Sequence, residues 1–201
     1  LFPEGTSHSQ SHMIRFKTGP VRTLLAAAAL AKANDLPLPH LVPVGLHYRR
    51  REHFRTDKFV EFGEPIELDE ASIPPEMVDA VRRGGWVEPP QDTVHRVRDQ
   101  LQARLPALTP NTSTWEEHRA LHLMAHAKAR DAGTRLASWQ DEVLAAREIR
   151  RAWPNRVTSF PPEPFEGGSL RSASEAAELL EARGLDGRDL GPQGRVLRKA
   201  N

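Results

Sequence analysis

An α/β domain followed by a mainly helical appendage is the fold class predicted for this chain, and three observations carry that expectation. Short apolar runs end in turn residues at Leu1-Phe2-Pro3-Glu4-Gly5 and fill residues 41–48, as strands of a buried sheet do. Between them lies an alanine-rich stretch, residues 21–33, suited to a helix packed on a sheet. From Ser72 onward apolar residues recur at helical spacing between Pro and Gly punctuation.

The opening segment brings an ionised acceptor, a glycine and two hydroxyls, Glu4-Gly5-Thr6-Ser7, to the end of an apolar run. Glu4 is suited to accept hydrogen bonds from the hydroxyls of a polyol, and Gly5 lets a ligand approach the main chain. The same letters also read as a solvated turn. Thr18-Gly19-Pro20 then supplies a hydroxyl cap candidate and a proline in the first helical turn, and residues 34–39 end that helix. The strand at 41–48 contains Pro43, and a strand, a helix and a strand in this order predict a parallel βαβ pair in a three-layer domain. A further strand at 59–62 is expected to continue the sheet. Between the two strands, Arg49-Arg50-Arg51-Glu52-His53-Phe54-Arg55 is the strongest local positive patch. It suits anionic headgroups or donor phosphates, and Arg49, Arg50 and Arg51 also read as a solvated turn.

Three amphipathic helices are expected next. Residues 93–105 place Val94, Val97, Leu101 and Leu105 on one face; residues 114–132 carry Trp115, Leu121, Leu123 and Met124; residues 138–153 start at Ser138, with Glu142 beyond it. Their apolar stripes suit core packing, or a membrane interface for Trp115, Trp139 and Trp153. Residues 154–168 have linker composition. A short helix is expected at 172–183, with Ser172 and Glu175 in capping-box spacing and Gly184 at its end, and residues 187–201 are expected to be loosely ordered.

Composition removes several function classes. With 28 Lys+Arg against 27 Asp+Glu, the net charge of +1 gives no electrostatic reason to expect nucleic acid. The absence of Cys excludes disulfides, thiolate metal sites and a cysteine nucleophile. A hydrophobic content of 38% with 17 Pro points to much exposed helix and loop. No apolar run approaches the roughly 20 residues of a spanning helix. No Gly-x-Ser-x-Gly elbow or Gly-rich phosphate loop is found. His8 and His12 have metal-compatible spacing without a third ligand, which reads as a solvated loop. His126 and Asp131 match a His-x-x-x-x-Asp pattern, but five residues along a helix turn the two side chains about 140° apart.

Three blocks in order, Phe2-Pro3-Glu4-Gly5-Thr6, Val42-Pro43-Val44 and Phe62-Gly63-Glu64-Pro65-Ile66, resemble the glycerolipid acyltransferase superfamily, the glycerol-3-phosphate and 1-acylglycerol-3-phosphate acyltransferases. The resemblance covers about the first 68 residues. It implies a partial acyltransferase-like sheet with flanking helices over residues 1–70, a helical appendage over 71–153, and a linker, short helix and tail over 154–201. Phe2, Pro3, Glu4, Gly5, Thr6 and Ser7 then belong to the acyl-acceptor pocket, which Pro43 helps to shape. Many members carry Arg where Ser7 stands, and Arg15 and Lys17, just before a helix, are the nearby cations for a phosphate. The implied reaction moves a fatty acyl chain from acyl-CoA or acyl carrier protein to glycerol 3-phosphate or lysophosphatidate. In it a His-x-x-x-x-Asp block removes the acceptor hydroxyl's proton. That block precedes the Phe-Pro-Glu-Gly block in the family, so the chain is expected to be a C-terminal portion and inactive alone. No metal or tightly bound organic cofactor is implied, and the setting is the cytoplasmic face of a membrane. The alternative is a non-catalytic helical interaction module or a lipid- or phosphate-binding one.

Overall fold

Helix α1 (Gly19–Ala33) begins where the sequence places it, with proline in its first turn, although the Thr18 hydroxyl makes no capping bond. Val21, Leu25, Ala28 and Ala29 fall on one face and are buried, because these spacings return to the same side every turn. The helix ends at Asn34, whose N–H still donates to Ala31, and Asp35 takes a left-handed φ of 54° that turns the chain away. The structure, a computed structural model, describes residues 1–152, 162–164 and 167–191.

The chain forms two units. The first comprises Leu1–Ser9, Ile14–Gly45 and Glu61–Leu108. In it α1 packs against α2 (Pro75–Arg82) and α3 (Gln91–Arg104), which follow Pro74 and Pro90. Leu25, Ile73, Met77, Val78, Val94 and Val97 close an entirely apolar core with the small residues of α1. The alanines let the helices approach closely, and packing at crystal-like density does the rest.

Two strands, β1 (Val44–Tyr48) and β2 (Lys58–Phe62), form a two-stranded sheet whose pairing continues toward the chain ends as an antiparallel bridge of Leu41 with Ile66. Gly63 N–H donates to Pro43 at 2.8 Å, and Arg49 N–H to Asp57 at 3.0 Å. The expected parallel pairing is therefore corrected: residues 41–48 pair with the strand that follows them, not with the opening segment, which carries no strand. A short loop suffices for antiparallel neighbours, whereas a parallel pair needs two strands long enough to ladder across a crossover. Along β1, Gly45 and His47 are buried while Val44, Leu46 and Tyr48 are exposed, the period of two of a half-covered strand.

The second unit comprises Gln10–Met13, Leu46–Val60 and Thr109–Asn201. Helix α4 (Trp115–Asp131) starts at Thr114, whose hydroxyl accepts from Glu117 N–H at 3.1 Å. Helix α5 (Trp139–Arg151) starts at a reciprocal capping box of Ser138 with Asp141. Helix α6 (Gly168–Glu181) begins four residues before the expected Ser172, with Gly167 at its cap, so the Ser172 and Glu175 pair lies inside the helix. Its end is as expected: Gly184 adopts φ 68° and its N–H returns to Glu181. Leu121 of α4, Ile149 of α5 and Leu170 of α6 meet in the core of this unit with Ala120, Ala125 and Ala146. Beyond α6, Gly187–Asp189 forms a capped 3-10 turn rather than a loose tail. Trp153, most of the linker and residues 192–201 lie outside the described residues. Among the described residues no helix is long and apolar enough to cross a membrane.

Candidate functional site

The opening block folds as a turn within the first unit. Gly5 N–H donates to Phe2 at 3.2 Å, and Gly5 takes φ 68°, the left-handed region that favours glycine. A second constraint acts at the same residue, because a Cβ there would lie 3.1 Å from Lys17 Cγ. Lys17 N–H in turn donates to Pro3 at 2.7 Å. The turn and the segment leading into α1 are thus laced together, which brings Glu4, Gly5 and Lys17 into one place.

Glu4 holds that arrangement from its side chain. Its Oε1 accepts from Ile14 N–H at 2.6 Å and from His8 Nε2 at 2.9 Å, and its side chain keeps 19% of its surface. Both bonds go to the same oxygen, so Oε2 is left to an incoming donor. The expectation of a solvated loop at His8 is corrected: the ring is half-buried and tied to Glu4. His8 and the Ile14 amide are the partners that sequence reading missed; the signal for the first was a Glu and a His four residues apart. Phe2 is 76% exposed, and Gly5, Thr6, Ser7, Arg15 and Lys17 are exposed as well. Helix α1 opens two residues after Lys17 with its first N–H groups uncapped by Thr18. A carboxylate acceptor, an exposed ammonium side chain and a helix N-terminus in one stretch suit a molecule that carries both hydroxyls and an anionic group.

Charge in the second unit is arranged differently. Arg49, expected in a solvated turn, is instead largely buried and pairs through both guanidinium nitrogens with Glu142 at 2.9 Å, with Asp186 at 3.4 Å and the Trp139 ring at 5.1 Å beside it. Burial pushes the Glu142 carboxyl up, but His126 and Arg49 outweigh it and hold it below the usual range. Burial acts the same way on Asp186, where hydrogen bonds from the Arg188 side chain and backbone prevail and bring it to about 2. His126 lies 3.2 Å from Glu142 while Asp131 is exposed at the end of α4, so the His126 and Asp131 pattern forms no dyad. His118 meets Trp115 and His122 edge-on, and His122 stacks on Trp139. Desolvation first, then Arg150, His47 and Arg119, lowers His118 to about 4, and desolvation first, then His118, His126, Arg49 and His47, pushes His122 well below the usual histidine value. The cavity beside them, lined by Thr112, His118, His122 and Val143, measures about 30 Å³. That is room for one or two water molecules and excludes a glycerol phosphate. This network is structural.

Sequence comparison finds relatives for part of the chain. It is 29% identical over 116 residues to glycerol-3-phosphate O-acyltransferase 2 of Saccharomyces cerevisiae and 31% identical over 116 residues to glycerol-3-phosphate O-acyltransferase 1 of the same yeast. An uncharacterized acyltransferase of Schizosaccharomyces pombe is 33% identical over 101 residues. These matches take in 50–58% of this chain and 14% of each relative, so the chain spans a small part of the length of the proteins it resembles. No family model matches the chain, and no solved structure matches it. With the ordered blocks at Phe2, Val42 and Phe62, these partial matches support the resemblance to the glycerolipid acyltransferase superfamily.

Proposed function

We propose that the Glu4 turn and the start of α1 form the acceptor side of an acyltransferase that transfers a fatty acyl chain from acyl-CoA or acyl carrier protein to glycerol 3-phosphate or its monoacyl derivative. The observation that carries this reading is the division of the Glu4 carboxylate. Oε1 is committed to Ile14 and His8, which fixes the side chain, and Oε2 stays open to the hydroxyl of an acceptor. Lys17, Arg15 and the N–H groups opening α1 supply the complementary charge for a phosphate. Phe2, Pro3, Thr6 and Ser7 frame the turn, and the names of the two yeast relatives, glycerol-3-phosphate O-acyltransferases, favour glycerol 3-phosphate as acceptor.

Substrate holding is the role of these residues. Proton removal belongs to a His-x-x-x-x-Asp block of the kind the superfamily uses. Its imidazole takes the hydroxyl proton, the oxygen attacks the thioester carbonyl, the C–S bond breaks and the thiol leaves with a proton. In this reading β1 and β2 belong to a larger acyltransferase-type sheet. Val42, Val44 and Phe62 support it, since they leave apolar side chains of the first unit uncovered, and such surface is ordinarily covered by another layer. The reaction's acyl chains set the protein at a membrane surface, on its cytoplasmic side.

The test is Glu4→Gln in the full-length protein, assayed with glycerol 3-phosphate. A hydrogen bond to a charged group contributes about 1.5–3 kcal/mol, so kcat/KM should fall roughly 10- to 100-fold. Unchanged kinetics in a variant whose thermal unfolding is also unchanged sinks the acceptor-pocket role.

A further inference from the structure

We infer that the tip of the β1–β2 hairpin is a membrane-docking element that recognises a bilayer surface carrying anionic lipid. Its biological setting rests on the membrane placement proposed above, but its residues are separate from the acceptor site. The tip lies wholly within the second unit. Phe54 stands on it 91% exposed, the most exposed large apolar side chain among the described residues. The same stretch carries Arg50, Arg51, Arg55 and Lys58, all exposed, with the Arg55 guanidinium 5.3 Å from the Phe54 ring centre.

The loop is built rather than slack. Arg49 N–H closes it onto Asp57, His53 N–H donates to Arg50, and Arg50 N–H donates to the Thr56 hydroxyl at 3.0 Å. Arg55 adopts φ 58°, a left-handed backbone uncommon for a side-chain-bearing residue. Below the tip, the Arg49 side chain anchors it to Glu142. Of the two acids in the loop, Asp57 lies 3.8 Å from both Arg49 and Arg188, so the acidic charge nearest in sequence to Arg55 and Lys58 is directed to the base of the loop and only Glu52 remains on the tip. An exposed cationic loop with one projecting ring matches the bilayer interface, where cations meet headgroup phosphates and an aromatic ring enters the acyl boundary. A single ring offers too little apolar area for a stable protein interface. With an overall net charge of +1, nucleic acid has no broad surface to bind.

The experiment is co-sedimentation of the purified protein with phosphatidylcholine vesicles and with phosphatidylcholine–phosphatidylserine vesicles, at low and high salt. Binding is expected only to the anionic vesicles and to weaken with salt. Attraction near an anionic surface predicts about fivefold weaker partition for each arginine removed in Arg50→Gln and Arg55→Gln. Loss of the buried ring in Phe54→Ser should weaken it roughly tenfold. Lys128→Gln, an exposed substitution on α4, should leave partition unchanged. No binding to anionic vesicles, equal binding to neutral ones, or partition unaffected by the tip variants overturns the proposal. Acyl transfer from a short-chain soluble donor is measured on the same variants. It should survive them, so failure of docking and failure of the acceptor-site reading show up in different assays.

Discussion

The two units of this chain solve the problem of an interior in opposite ways. The first closes on Leu25, Met77, Val94 and their apolar neighbours, and keeps its charges at the surface or, at Glu4, half-sheltered where a ligand can meet one. The second buries Glu142, Arg147, Arg150, His47 and His126 alongside its apolar residues. An apolar interior gains stability from area removed from water and is insensitive to protons. An ionic one holds only while every member stays paired. On the proposed reading buried charge does not mark the functional site: the heavily charged interior serves the fold, and the candidate acceptor site sits on the unit with the plain core.

That contrast can be broken most directly at Glu142, which is 2% exposed and holds Arg49 through two bonds. Glu142→Ala removes both short bonds to the buried Arg49 guanidinium, leaving it only the longer contacts to Asp186 and Asp57, and should lower stability by about 3–5 kcal/mol in a denaturant titration. Leu25→Ala is the counterpart in the first unit, where a cavity in a tight core costs about 2–5 kcal/mol. Of the two losses, only that of Glu142→Ala should shrink when measured at acid pH, because Leu25 is fully buried in an apolar cluster and carries no titrating group itself. If both behave alike with pH, the distinction between the interiors is wrong.

Acid itself gives the next test. His118 and His122 are held neutral in the fold but accept a proton once unfolded, so unfolding takes up protons between the free histidine value of 6.5 and the folded value near 4 for His118. Stability of the second unit should therefore fall as pH drops through that window, and His118→Gln with His122→Gln should flatten the decline. Amide exchange followed by unit should show the first unit keeping its protection over the same range. The smallest effect is expected at a helix cap: Ser138→Ala removes one half of the α5 capping box and should cost about 1 kcal/mol in thermal unfolding.

What the sequence made legible follows the range of the interactions involved. Proline and alanine content placed α1, Thr114 and Ser138 marked the starts of α4 and α5, and Gly184 marked an end, because caps and left-handed turns are decided within a few residues. Strand direction was not legible, since Leu41 finds Ile66 and not the opening block through pairing that only the folded chain displays. Arg49 looked like part of a solvated run because its partners, Glu142 and Asp186, lie more than ninety residues away in sequence. At the candidate site the residues proposed to hold the acceptor stand together as a block of letters. The bond from the Ile14 amide to Glu4 was not, for a backbone donor leaves no trace in side-chain identity.

Gly5 carries a consequence for how this site can vary. Its position ties two residues together: a side chain at 5 would meet both an unfavourable backbone angle and the aliphatic stem of Lys17. Homologous chains that replace the glycine should therefore also shorten or reroute the residue at position 17. Substitutions at these two sites should travel as a pair through the lineage, with the cation moving whenever the glycine is lost.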